Sequence, residues 1–156
     1  MIKLSRLTDY AIVIMAAMAR REGASLSASS LAEQTALPEP TVSKVLKLLV
    51  KGGVISSIRG VNGGYALKAR PADIRVGDII AAMEGPIALT SCVKGSKDTC
   101  SIESLCMLHG RWNVVNIAIK TALDNVTLAD MLPSQGRHAR GLSAEALAKA
   151  ESGEGV

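Results

Sequence analysis

Apolar residues recur along this chain at two different periods, and the switches between them mark its elements. Leu7, Ala11, Ile14, Met15 and Met18 fall at helical spacing, which predicts an amphipathic helix over about 5–21. Ser5 or Thr8 is placed to cap it and Gly23 to end it. Ser27 is a cap for a short second helix to Thr35 that turns Leu31 and Ala32 inward. Ala36-Leu37-Pro38 reads as a tight turn, and Pro40 suits the first turn of the next helix. There Val42, Val45, Leu46 and Leu49 repeat at i, i+3, i+4 and i+7. Lys44, Lys47 and Lys51 take the opposite side, and Gly52-Gly53 stops the helix. The pattern then becomes that of strands, over 54–58 and 65–68. They are joined by the glycine-rich turn Arg59-Gly60-Val61-Asn62-Gly63-Gly64.

After Pro71 the helical period returns with Val76, Ile79, Ile80 and Met83, closed by Gly85-Pro86. A long helix is expected over about 105–124, where Leu105, Leu108, Trp112, Val115, Ile119 and Ala122 alternate in steps of three and four. That is the seam of helices packing nearly parallel, as in a dimer. Its ~20 residues would span roughly 30 Å. Thr127 is set to cap one more turn, from Leu128 to Met131, before Pro133. Beyond it Gly, Ser and Ala dominate; 143–151 has too few large apolar residues to pack firmly, and a mobile tail is expected. The fold class is therefore mainly α with a small β-hairpin: a winged helix-turn-helix head over 1–85, a cysteine loop and long dimerisation helix over 86–132, and a flexible tail over 133–156.

Charge assigns a partner to the head. Residues 1–70 carry ten Lys/Arg against four Asp/Glu, a net of +6, whereas 71–156 carry eight against ten, a net of −2. A basic half with two short helices and a hairpin wing fits double-stranded DNA. Glu39, Thr41, Ser43 and Lys44 at the start of the recognition helix are the candidate base-reading residues, with Lys47 on phosphate. Arg59, Asn62 and Gly63 form the wing tip, and Arg59 suits a narrow minor groove. A palindromic operator asks for a two-fold protein, so a homodimer is expected.

Other classes fall away. Aromatics make up 2% with no Phe, so the core is aliphatic and stacking platforms for single strands are missing. The glycine turn has neither Gly-x-Gly-x-x-Gly nor Gly-Lys-Ser/Thr spacing, which removes a phosphate-cradling loop. Ala11 to Ala19 resembles a secretory core, but Asp9 precedes it and Arg20-Arg21 follow it. No run reaches the ~18 apolar residues that span a bilayer. A cytoplasmic protein with no membrane partner and no small-molecule substrate is expected.

All three cysteines lie in one polar stretch, Cys92, Cys100 and Cys106, with His109 close behind. An odd count argues against a disulfide framework. Structural zinc pairs its ligands two to four residues apart, and only Cys106 and His109 are that close. Thiolates beside Lys94 and Lys97 are soft ligands that suit an iron–sulfur cluster, of the two-iron or four-iron kind. Direct thiol oxidation without metal is the alternative. A cysteine enzyme built on Cys106 and His109 lacks an evident third group and leaves the winged head unexplained, so no enzyme is expected.

Leu4-Ser5-Arg6-Leu7-Thr8-Asp9-Tyr10-Ala11, Arg59-Gly60-x-x-Gly63-Gly64-Tyr65 and three cysteines ahead of a helix together resemble the iron–sulfur transcription regulators of the IscR and NsrR type, over residues 1–132. Thr41-Val42-Ser43-Lys44 and Gly85-Pro86-Ile87-Ala88-Leu89-Thr90-Ser91-Cys92 look most like the branch that regulates the Suf cluster-assembly operon. The resemblance implies a homodimeric repressor on a palindrome-like operator, with a cluster held by Cys92, Cys100 and Cys106. The first cysteine interval, seven residues, is longer than is usual in IscR-like members. For the fourth ligand, Asp9 in its Thr8-Asp9-Tyr10 setting is similar to the NsrR-like branch, where an aspartate comes from the other subunit. Cys106-x-x-His109 is similar to the IscR-like branch, and on a continuous helix those two would share a face. Asp9 is the preferred assignment and His109 the alternative.

Overall fold

The computed structural model describes residues 3–21, 23–60, 63–96, 100, 106–108 and 110–133. Asn62, Lys97, Leu105 and His109 lie outside the described residues, as does 134–156, where a mobile tail is expected.

Ser5 starts the first helix, α1 (Arg6–Ala19), by accepting the Thr8 amide at 3.3 Å. Ala11, Ile14 and Met15 on its inner side are fully buried. Ser27 caps α2 (Ala28–Thr35) in the same way, and Leu31 enters the core. α2 ends on Ala36 in the left-handed conformation, φ 55° and ψ 28°. It is the one non-glycine with positive φ among the described residues. The chain turns through Pro38 into α3 (Glu39–Lys51), whose Val42, Val45, Leu46 and Leu49 are completely buried. Gly52 follows in an ordinary backbone conformation, but a Cβ there would fall 2.3 Å from that of Ala82, so only glycine permits this close approach.

The wing is an antiparallel pair, β1 (Ile55–Ile58) and β2 (Gly64–Leu67), in register from Ile55 opposite Leu67 to Ile58 opposite Gly64. Leu26, from the link between α1 and α2, docks on its outer edge. Its amide donates to Tyr65 O at 3.0 Å, and Tyr65 N donates back at 2.8 Å. A Cβ at Gly64 would lie 2.6 Å from Leu26 O, so this seam also depends on a glycine.

A short 3-10 turn (Pro71–Asp73) leads into α4 (Val76–Glu84), with Val76, Ile79 and Ile80 buried as the pattern predicts. Next come α5 (Trp112–Asp124) and α6 (Leu128–Met131), the latter started by a Thr127–Asp130 capping box. Leu128 is fully buried in the same aliphatic core as Ile14, Leu31, Leu46 and Ile79, and its amide donates to Ile74 O at 2.8 Å. The chain thus leaves the head after α4 and is anchored to it again at α6.

The expected long helix needs correction. α5 begins at Trp112, not near residue 105, because Met107 and Leu108 lie in a turn and Gly110 takes φ 71°, a left-handed value that interrupts helical geometry. Its 13 residues span about 20 Å, and α1 with 14 is longer.

Glu84 joins the two ends of the head. Its Oε1 accepts from the Ser5 amide at 2.8 Å and from the buried Thr8 hydroxyl at 2.5 Å. The Thr8 hydroxyl first, and then the Ser5 amide, hold the carboxyl below its usual value of 4.5. A carboxylate depressed on folding contributes stability above its unfolded pKa, and that stability fades as pH falls through the folded value. Glu84→Gln keeps the shape but removes the titration. It should lower thermal stability slightly at neutral pH and flatten the loss of stability on acidification below about 4.5. Melting curves across that range check this; parallel pH profiles for both proteins would contradict it.

Candidate DNA interface and cysteine segment

Burying one side of α3 fixes what its other side presents. Lys44, Lys47 and Lys51 are exposed opposite the buried stripe, Glu39 is exposed in the first turn, and Thr41 and Ser43 are half-buried beside them. Arg59 is exposed where β1 ends. The wing loop closes with Gly63 N donating to Gly60 O at 2.9 Å, and a Cβ at Gly63 would sit 2.4 Å from Ile58 O. Among the described residues, none of Lys44, Lys47 and Arg59 is paired with a carboxylate, so their charge is available to a polyanion.

The cysteine segment is built differently. Cys92, Cys100 and Cys106 are free thiols, each partly exposed. Cys92 sits in consecutive turns in which Val93 N donates to Thr90 O and Ser96 N to Val93 O. Its Sγ lies 3.3 Å from the Thr90 hydroxyl, and Val93 beside it is buried. Two asparagines of α5 hold the flanking backbone. Asn116 donates to Ile87 O at 2.9 Å and accepts from Leu89 N at 3.1 Å. Asn113 accepts from Lys94 N at 2.9 Å. Sequence reasoning missed both asparagines; the available signal was a polar residue at 116 inside the apolar run Val114-Val115-Asn116-Ile117.

Among the described residues no group of three or more His, Cys, Asp or Glu side chains converges to hold a metal. The folded chain therefore does not gather Cys92, Cys100, Cys106 and Asp9 into one ligand set; Asp9 is exposed on the first turn of α1. Cys106 lies before α5 and outside any helix, and the face expected for Cys106 and His109 depends on His109, which lies outside the described residues. The donor chemistry nonetheless fits a cluster: three free, partly exposed thiols in one segment are soft ligands for iron.

α5 buries only Asn116. Trp112, Val115 and Ala122 of the expected seam are exposed and Ile119 is half-buried. The bare apolar surface extends past that seam to Val114, 74% exposed, and Ile117, 62% exposed.

A short bipartite helix pair with a wing, followed by a cysteine segment and a bare helix, has known counterparts. Residues 4–134 match the Rrf2 family, described as iron-dependent transcriptional regulators. The chain belongs to the Rrf2 family. The regulator NsrR of Bacillus subtilis is 29% identical over 134 residues, covering 85% of this chain and 92% of that protein. Among solved structures, CymR, the global cysteine regulator of B. subtilis, is 32% identical with a TM-score of 0.62, over 84% of this chain and 96% of that one. IscR of T. potens is 34% identical with a TM-score of 0.61, over 90% and 94%. The family's winged-helix architecture is the one described above, and its members are DNA-binding transcriptional regulators, not enzymes.

Operator binding should therefore weaken steeply with salt as Lys and Arg displace counterions. Arg59→Ala is expected to cost about 1–3 kcal/mol on the operator, whereas Lys47→Ala should weaken all sequences alike and shallow the salt slope by about one. Titrations of operator and scrambled duplexes over a salt series check both. Unchanged operator affinity in Arg59→Ala would remove the wing from the interface.

Proposed function

We propose that this Rrf2-family regulator is a homodimeric repressor that reads iron–sulfur status and controls cluster-assembly genes in the cytoplasm. In this reading residues 1–85 bind DNA, with Glu39, Thr41, Ser43 and Lys44 reading bases and Lys47, Arg59, Asn62 and Gly63 securing the duplex. Residues 86–132 sense and dimerise, and the bare side of α5 is covered by a second copy. The observation that carries it is the placement of three free thiols between the DNA head and that unpartnered helix. Cys92, Cys100 and Cys106 would hold the cluster. Asp9 from the second copy would complete it; Asp9 is solvent-exposed on α1, and no three candidate metal ligands converge among the described residues of one chain. When bound, the cluster supplies labile, redox-active iron; the protein supplies sulfur ligands and a segment whose order depends on them.

Anaerobic purification with iron and sulfide analysis, followed by operator binding with and without the cluster, tests this reading. Cys100→Ala should remove iron and sulfide while leaving folding and dimerisation intact. A monomeric or unfolded variant would make the site structural instead of sensory.

The fourth ligand is tested separately. Asp9→Ala should speed iron loss from the reconstituted protein, and His109→Ala should leave it unchanged. The reverse pattern would assign the ligand to His109.

A second reading, a metal-free thiol sensor, draws on two observations: the cysteines do not converge among the described residues, and CymR is described as a cysteine regulator. Colourless anaerobic protein whose operator affinity responds to peroxide would favour it.

A further inference from the structure

The backbone on both sides of Cys92 is fastened to α5. Upstream, Asn116 grips the chain twice, through Ile87 O at 2.9 Å and Leu89 N at 3.1 Å. Downstream, Asn113 takes Lys94 N at 2.9 Å. Between these ties Val93 is 4% exposed, which pins the residue next to the thiol. Asn116 is itself 7% exposed and interrupts the apolar run Val114-Val115-Asn116-Ile117, whose other members are exposed. An aliphatic side chain there would bury more apolar surface, so the amide acts on geometry: it satisfies one backbone donor and one acceptor that no aliphatic could. Both asparagines lie within one turn of the helix whose other side is bare.

We propose that Asn113 and Asn116 are positioning residues for Cys92, seating it on α5 so that chemistry at its sulfur is transmitted to the helix that carries the unpartnered apolar face. This rests on Cys92 being a sensor residue, and it holds for either metal ligation or direct oxidation. Forming or breaking a bond at Sγ strains a segment tied at three backbone positions to α5. The Thr90 hydroxyl, 3.3 Å from Sγ, is the polar group beside the sulfur during that change.

The test uses the full-length metal-free protein and follows alkylation of each cysteine by iodoacetamide with mass spectrometry. Asn116→Ala should raise the rate at Cys92 roughly tenfold by freeing its segment, with Cys100 and Cys106 unchanged. Asn116→Asp retains the acceptor for Leu89 N but loses the donor to Ile87 O, and should fall between. Asn113→Ala removes one exposed hydrogen bond, should fold normally, and should give a smaller rise confined to Cys92. It decides the matter alone if Asn116→Ala does not fold. Equal increases at all three cysteines, or no increase at Cys92, would overturn the proposal. Iron content of the reconstituted parent is measured in parallel. A parent that takes no iron sinks the cluster reading while the alkylation result still judges the tether. A parent that takes iron, with variants unaltered at Cys92, sinks the tether alone.

Discussion

The stripe of Val42, Val45, Leu46 and Leu49, wholly withdrawn from solvent, is the constraint on which the head depends. A helix that gives half its circumference to an aliphatic core has its rotation fixed to within a fraction of a turn. Lys44 and Lys47 must then face outward; rotating α3 by one residue would bury a lysine and expose a valine. The core has no phenylalanine to fill space, so its helices come close instead. Gly52 against Ala82 and Gly77 against the Asp124 carboxylate mark two such approaches, and neither tolerates a Cβ without movement. The same packing sets the wing, because β1 follows α3 after only a short turn and β2 is hydrogen-bonded to Leu26.

α5 obeys the opposite rule. It places one polar residue inside and leaves valines and isoleucine outside, the inverse of a helix built to be stable within a single chain. It is held by its ends and by polar side chains: the cysteine segment is tied to its first turns through Asn113 and Asn116, and α6 inserts Leu128 into the head after its last. A second copy covering its apolar side would stabilise it.

The head was legible in advance because its information is periodic. Ser5 and Ser27 cap the helices they precede, the buried face of each head helix is the predicted one, and the hairpin lies where the glycine turn indicated. The family resemblance followed from those positions and the three cysteines. The extent of α5 is not legible in the pattern, because steps of three and four continue through Leu105 and Leu108, whereas Gly110 breaks the helix by its backbone alone. Ala36 hides the same kind of information, since a left-handed alanine carries no sign of itself in the residue type.

By itself, then, the order of residues determined which faces are apolar, where helices start, which half is basic, and that three thiols share one polar stretch. Tertiary structure alone decided which distant groups meet. Glu84 caps the start of α1 across 79 positions, and Asn116 holds a backbone segment nearly thirty residues earlier. Periodicity reports only whether a residue faces in or out. A single hydrogen bond closing a long loop leaves no repeat to read, and it exists only because the core has already brought its two ends together.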